Sequence, residues 1–312
     1  MDERIQQLMQ KVRRIELKTN ALSNNVFAGE YHSAFKGRGM SFSEVREYQP
    51  GDDVRDIDWN VSARFDRTYV KVYEEERELT VMLLIDVSGS LDFGSQGQTQ
   101  RDLLTEIAAT IAFSAIRNND KIGVLFFSDR VEKFIPPAKG KSHILRIIRE
   151  LLTIEPKGRK TDVSVAMEYF VRVVRKRSIA FLLSDMLDPA FAADETAAPS
   201  PAKPEAAARL DALYRKLAMA RQKHDVVAVQ VFDKRMAELP NVGLMKVEDA
   251  ETGHEVYVDT SSRKVRELHK KHWLTTCGRV EDLLNRCRID HTAVATGEDY
   301  VKPLKLLFAR RG

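Results

Sequence analysis

Hydrophobic and polar positions change rhythm near Leu79. Before it, helical spacing is clear only over residues 2–23. There Ile5, Leu8, Val12, Ile15 and Leu22 share one face, opposite Glu, Gln, Lys and Arg. That predicts an amphipathic helix packed on the body of the chain, with a partner-docking arm as the alternative. Residues 24–78 are broken by Gly37, Gly39, Pro50 and Gly51, with short extended pieces at 40–42 and 69–73. Within them, GDDVRDIDWNVSAR sets Asp52, Asp53, Asp56 and Asp58 around Arg55, Trp59 and Arg64. This density of opposite charges predicts a turn held by carboxylate–guanidinium pairs and backbone N–H bonds, anchored to the core by Ile57 and Trp59.

From Leu79 strands and helices alternate. ELTVMLLID is a near-continuous apolar run, as expected of a strand covered on both faces. A helix over 99–117 follows, then the strand KIGVLFFS and the short piece VEKFIP, predicted as an antiparallel edge at 131–135. Helices are predicted at 142–153, capped by Ser142, and at 162–175, before the buried strand SIAFLLSD. Residues 188–208 are Ala- and Pro-rich and predict a mobile surface loop. A helix over 205–222, the strand HDVVAVQVF, a strand pair within 242–259, a helix over 261–287, the strand DHTAVAT and a helix over 298–310 complete the order. The expected fold class is α/β, a doubly wound, mostly parallel sheet with helices on both faces. Residues 1–78 are expected to pack as a helix and hairpin-like extension on a main domain of 79–312.

Composition narrows the class. Of 312 residues 43% are hydrophobic and 31% charged, and the formal net charge is +4, ordinary values for a globular chain. The first residues lack the apolar stretch of a signal peptide, and no run reaches the roughly 18 apolar residues of a membrane span. A cytoplasmic protein without a transmembrane segment is expected. The two cysteines, Cys277 and Cys287, make no disulfide framework and read as small apolar fillers. His269 and His272 near them do not have a recognised zinc spacing.

The informative chemistry is Asp86-Val87-Ser88-Gly89-Ser90, at the predicted carboxyl end of the first buried strand, where such sheets place ligands. One carboxylate and two hydroxyls alternate on a turn. Thr161 precedes a predicted helix, and Asp185 closes another strand. Oxygen donors of this kind suit Mg²⁺, with Mn²⁺ or Ca²⁺ as alternatives. Ser88 and Ser90 are expected to bind directly, Thr161 and Asp185 directly or through water. A site with so little carboxylate stays electron-poor and can accept a Glu or Asp from another protein.

The pattern DxSxS, then Thr161, then Asp185 after an apolar strand, resembles the von Willebrand factor A domain with its metal-ion-dependent adhesion site. The resemblance carries Asp86, Ser88, Ser90, Thr161 and Asp185 over as the ligand set. GRGMSFSEVREYQPGDDVRDIDWNVSARFDRTYVKVYEEERE, directly before DVSGS, is similar to the bacterial domain-of-unknown-function family number fifty-eight over about residues 27–240. Members of that family often accompany MoxR-type AAA+ ATPases. The resemblance therefore implies a metal-dependent protein-interaction module, an adaptor or chaperone-like partner of such an ATPase, and not an enzyme. The Ala/Pro-rich stretch departs from the family pattern.

Other functions fit less well. Gly140-Lys141-Ser142 imitates the end of a phosphate-binding loop, but Ile135 stands where a glycine is required and two prolines follow it. A Mg²⁺-dependent phosphoester hydrolase using Asp86 as nucleophile is the enzymatic alternative, but Ser88 occupies the place of the second aspartate. Basic clusters at Arg172, Arg175, Lys176 and Arg177, and at Arg263, Lys264 and Arg266, are the case for a nucleic-acid-binding protein. No aromatic platform accompanies them, so no nucleic-acid partner is expected.

Overall fold

A computed structural model describes residues 10, 12–16, 40–75, 79–95, 97–191, 202–249 and 253–311. Six strands form the main sheet: β3 (Thr80–Asp86), β4 (Lys121–Phe127), β5 (Val131–Ala138), β6 (Ile179–Ser184), β7 (Asp225–Phe232) and β10 (Asp290–Ala295). Their spatial order is β10-β7-β6-β3-β4-β5. All neighbours are parallel except β4 and β5. The doubly wound, mostly parallel sheet is therefore as expected, with its antiparallel edge at the predicted place.

Alternation along β3 explains the layers. Val81, Leu83 and Ile85 join one core cluster with residues of α2 (Gln100–Arg117), α3 (Lys141–Thr153) and α8 (Val301–Ala309). Met82 and Leu84 join the opposite cluster with α4 (Val163–Val173), α5 (Ala202–Lys223) and α7 (Arg263–Arg286). Both faces of the strand are thus dry, which is why its sequence is apolar without a break. The chain leaves β3 for β4 and β5 on one side, then returns to β6 on the other. Sequence direction reverses between β3 and β6, and the crevice at their carboxyl ends is the switch point of the sheet.

Two small hairpins stand outside this sheet. β1 (Met40–Glu47) pairs antiparallel with β2 (Tyr69–Glu75), and β8 (Leu244–Glu248) with β9 (Glu255–Asp259). A short helix α1 (Trp59–Phe65) lies between β1 and β2, and α6 (Lys234–Ala237) follows β7.

Several local expectations need correction. Trp59 is 69% exposed and does not anchor the acidic stretch. The stretch is organised by caps instead: Asp53 accepts from the Arg55 N–H, and Asp58 accepts from the Asn60 and Val61 N–H groups at the start of α1. Arg46, not Arg55 or Arg64, makes its bidentate pair, with Asp52 at 2.7 and 2.8 Å. Ser142 lies inside α3, and Gly140 occupies the cap position with φ of 100°, a conformation suited to glycine. The 188–208 loop is narrower than expected, since Ala190 and Phe191 are buried and α5 begins at Ala202. Its middle, 192–201, lies outside the described residues, as does most of the helix expected over 2–23. Of that helix, 12–16 are helical and Ile15 sits in the core. No helix among the described residues is long and apolar enough to cross a membrane.

Candidate functional site

The carboxyl ends of β3 and β6, with the loop before α4 that carries Thr161, bring five predicted residues to one place. Asp86 is the last residue of β3. The turn after it enters a short 3₁₀ segment, Gly89–Asp92, so Ser88 and Ser90 both face inward and are buried. The Ser88 and Ser90 hydroxyls share a hydrogen bond of 3.1 Å. Thr161 Oγ1–H donates to Ser88 Oγ at 3.0 Å, across 73 residues of sequence. The Gly89 N–H donates to the Arg159 carbonyl at 3.0 Å, which ties the Thr161 segment to the turn. Asp185 is buried directly after β6, and its charge acts on Asp86.

Ser184 was missed by sequence reasoning. Its hydroxyl donates to Asp86 Oδ2 at 2.6 Å and accepts from the Met186 N–H at 2.9 Å. Met186 has φ of 58°, a left-handed conformation that a non-glycine residue adopts only when its surroundings hold it there. Parallel pairing of β3 with β6 was the only signal that could have placed Ser184 opposite Asp86, and the run SIAFLLSD does not name its neighbour.

The electrostatics are those of an acidic pair under cover. Asp86 is pushed up to about 7, first by burial and then by the charge of Asp185. Hydrogen bonds from the Ser184 hydroxyl and the Ser88 N–H oppose that rise. Asp188 is also raised, mainly by burial, while it accepts from the Val163 and Ala190 N–H groups. The donor set fits a hard divalent cation: two adjacent buried carboxylates whose repulsion positive charge relieves, three clustered hydroxyls, and no thiolate or imidazole. Among the described residues no group of three or more His, Cys, Asp or Glu side chains forms a metal cluster, so hydroxyls are indispensable to any cation site here. His269, Cys277 and Cys287 join no metal cluster among the described residues; His269 Nε2 sits 2.7 Å from the Met236 carbonyl and Cys287 faces the Tyr214 carbonyl.

A second layer surrounds these residues. Arg101, bonded to Asp92 at 2.6 Å, reaches the Val87 and Ser88 carbonyls at 3.3 and 3.4 Å. Gln100 is buried and donates to the Ser90 carbonyl at 3.3 Å. Gln230 donates to the Asp185 carbonyl at 3.0 Å.

The model of the family described as "Protein of unknown function DUF58" matches residues 44–276. The chain belongs to that family. An uncharacterised protein of Mycobacterium tuberculosis is 32% identical over 244 residues, covering 78% of this chain and 70% of its own. The uncharacterised protein YeaD of Bacillus subtilis is 28% identical over 109 residues, 35% of this chain and 25% of its own. Among solved structures, BatB from Bacteroides thetaiotaomicron is similar over 75% of this chain and 98% of its own, at 13% identity and a TM-score of 0.43. A von Willebrand factor type A protein from Catenulispora acidiphila is similar over 65% and 44%, at 14% identity and a TM-score of 0.33. Likenesses this distant say nothing of what the DUF58 chain binds. Its own strand order and covered sheet are consistent with the von Willebrand factor A type of fold.

Proposed function

We propose that this DUF58 protein is a binding module that grips an acidic residue of a partner protein through one divalent cation. Asp86, Ser88, Ser90, Thr161 and Asp185 would hold Mg²⁺, or else Mn²⁺ or Ca²⁺. The observation that carries the reading is the convergence of buried oxygen side chains from three chain segments at the switch point of the sheet. When bound, such an ion supplies an open coordination position for an outside carboxylate. The chain's own residues do the rest. Ser184 and the Ser88 N–H orient Asp86. The hydroxyls fill positions without adding negative charge, so the centre keeps its attraction for a Glu or Asp.

Exposed Arg159 and Lys160 precede Thr161 at the rim and favour an anionic partner surface. Following the family resemblance, the partner we propose is a MoxR-type AAA+ ATPase, with the chain as adaptor or chaperone-like subunit in the cytoplasm. Residues 79–312 form the binding domain in this reading, and 1–78 an appendage packed on it. The test is calorimetric titration with Mg²⁺, paired with co-purification of a co-expressed MoxR-type ATPase. One ion per chain is expected, and Asp86→Ala should lose both the ion and the ATPase, as should added chelator. A complex indifferent to chelator and to Asp86→Ala removes the reading.

A further inference from the structure

We propose that Asp233 is a positioning residue for the cation site, fixing the segment that carries Ser90 while supplying no ligand itself. This rests on the cation reading above.

Asp233 follows β7 at the same carboxyl edge of the sheet and is 0% exposed. Its carboxylate accepts four hydrogen bonds. Two come from Ser95, from the N–H at 2.9 Å and the hydroxyl at 2.6 Å. The others come from the Thr296 hydroxyl at 2.6 Å, beyond β10, and the Arg235 N–H at 2.8 Å, at the start of α6. Ser95 stands five residues after Ser90. Residues 92–95 are exposed, so side-chain burial does not hold this stretch in place. Polar contacts hold it instead: Gln100 grips the Ser90 carbonyl, Arg101 pairs with Asp92, the Gln100 N–H donates to the Phe93 carbonyl, and Asp233 grips the far end, Ser95, from 138 residues away.

The chemistry of position 233 requires a carboxylate. Oδ1 faces the Ser95 hydroxyl and the Arg235 N–H, and Oδ2 faces the Ser95 N–H and the Thr296 hydroxyl. An amide has one acceptor oxygen and would turn its NH₂ toward donors. Burial works against the charge, but the hydrogen bonds from Ser95, Thr296 and Arg235 outweigh it and hold the Asp233 carboxyl below its usual range. β7 thus shapes a site to which it gives no oxygen, with Gln230 holding Asp185 on one side and Asp233 holding the Ser90 segment on the other. Loss of groups that orient ligands from outside the coordination shell typically costs about 10–100-fold in metal affinity, and Asp233 acts one step further out, through the backbone that carries Ser90.

The experiment measures Mg²⁺ affinity by calorimetry, and amide hydrogen exchange at Ser95, in the full chain and three variants. Asp233→Asn should weaken Mg²⁺ binding by about tenfold or more and speed exchange at Ser95. Ser95→Ala should weaken binding by a few fold while lowering Tm no more than Thr296→Val does. Thr296→Val removes a bond to the same carboxylate without touching residues 89–95. It should lower Tm but leave affinity within about twofold, well short of a typical outer-contact loss. Unchanged affinity in Asp233→Asn and Ser95→Ala overturns the proposal. So does a loss in Thr296→Val equal to that in Ser95→Ala, because the effect would then be general stability. A wild-type chain that takes up neither Mg²⁺ nor Mn²⁺ overturns the cation reading and this inference with it. Normal wild-type binding with indifferent variants overturns this inference alone.

Discussion

The carboxyl edge of the main sheet and the acidic stretch between β1 and β2 use the same residue types in opposite ways. At the sheet edge, buried polar groups are bonded over long sequence distances: Asp86 to Ser184, Ser88 to Thr161, and Asp233 to the exposed Ser95. Between β1 and β2 the carboxylates hydrogen-bond to residues two to six positions away, with one longer pair from Asp58 to Lys71 at 3.5 Å, and it is the apolar side chains of Val54, Trp59 and Phe65 that face solvent. The first arrangement costs desolvation, which hydrogen bonds repay at Asp233 but not at Asp86. The second is ordinary capping, which any surface turn can use. Motif density in a sequence is therefore a poor guide to where chemistry sits, and shared burial is a better one.

Four substitutions sharpen that contrast. The largest effect is expected for Ser184→Ala, which strips a buried carboxylate of its hydroxyl donor. It should destabilise the chain by about 2–3 kcal/mol in chemical unfolding, and a cost under about 0.5 kcal/mol, the size of an ordinary surface change, would mean the sheet edge is not the tightly bonded region described.

Next comes His224, buried against Phe170 with its Nδ1 3.0 Å from Ser178 Oγ. Burial, then the charges of Lys223 and Arg177, lower its pKa to about 4. The unfolded chain binds this proton more readily, so the contribution of His224 to stability is complete above about pH 6.5 and is lost as pH falls toward 4. The difference between wild type and His224→Phe should therefore change across that window by on the order of 2 kcal/mol. A parallel pH dependence of the two chains sinks the assignment.

Smaller still is Asp58→Ala. It should speed amide exchange at Asn60 and Val61 while leaving exchange in β3 and β6 untouched, because its hydrogen bonds cap α1 and its ion pair reaches only Lys71 of β2. The smallest effect is expected for Trp59→Ser, within about 0.5 kcal/mol of wild type by thermal unfolding. A large loss there would show that the β1–β2 region buries its tryptophan against something after all.

Period and apolar content made the central architecture readable before any coordinates. The runs at β3, β6 and β7 are apolar because both faces are covered, and β5 betrays its edge position by polar alternation and two prolines. Asp86, Ser88 and Ser90 were readable because three donors lie within five residues of one strand end. Ser184, Gln100 and Asp233 were not. Each acts through neighbours that only strand order supplies, and a lone polar residue at a strand end or helix start carries no mark of its partner. Trp59 failed for a different reason: aromatic residues usually signal a core, and here a short helix turns this one outward.

The left-handed Met186 gives the site a mechanical character. Its N–H and Asp86 share the Ser184 hydroxyl, one giving to it and the other receiving from it. A single oxygen atom is thus a pin of a sprung bend costing roughly 1–3 kcal/mol, and the pin is seated on the carboxylate that burial and Asp185 push up to about 7. Neutralising Asp86 weakens the bond that seats the pin, so amide exchange at Met186 is expected to quicken, while the Leu187 N–H stays held by Asp185.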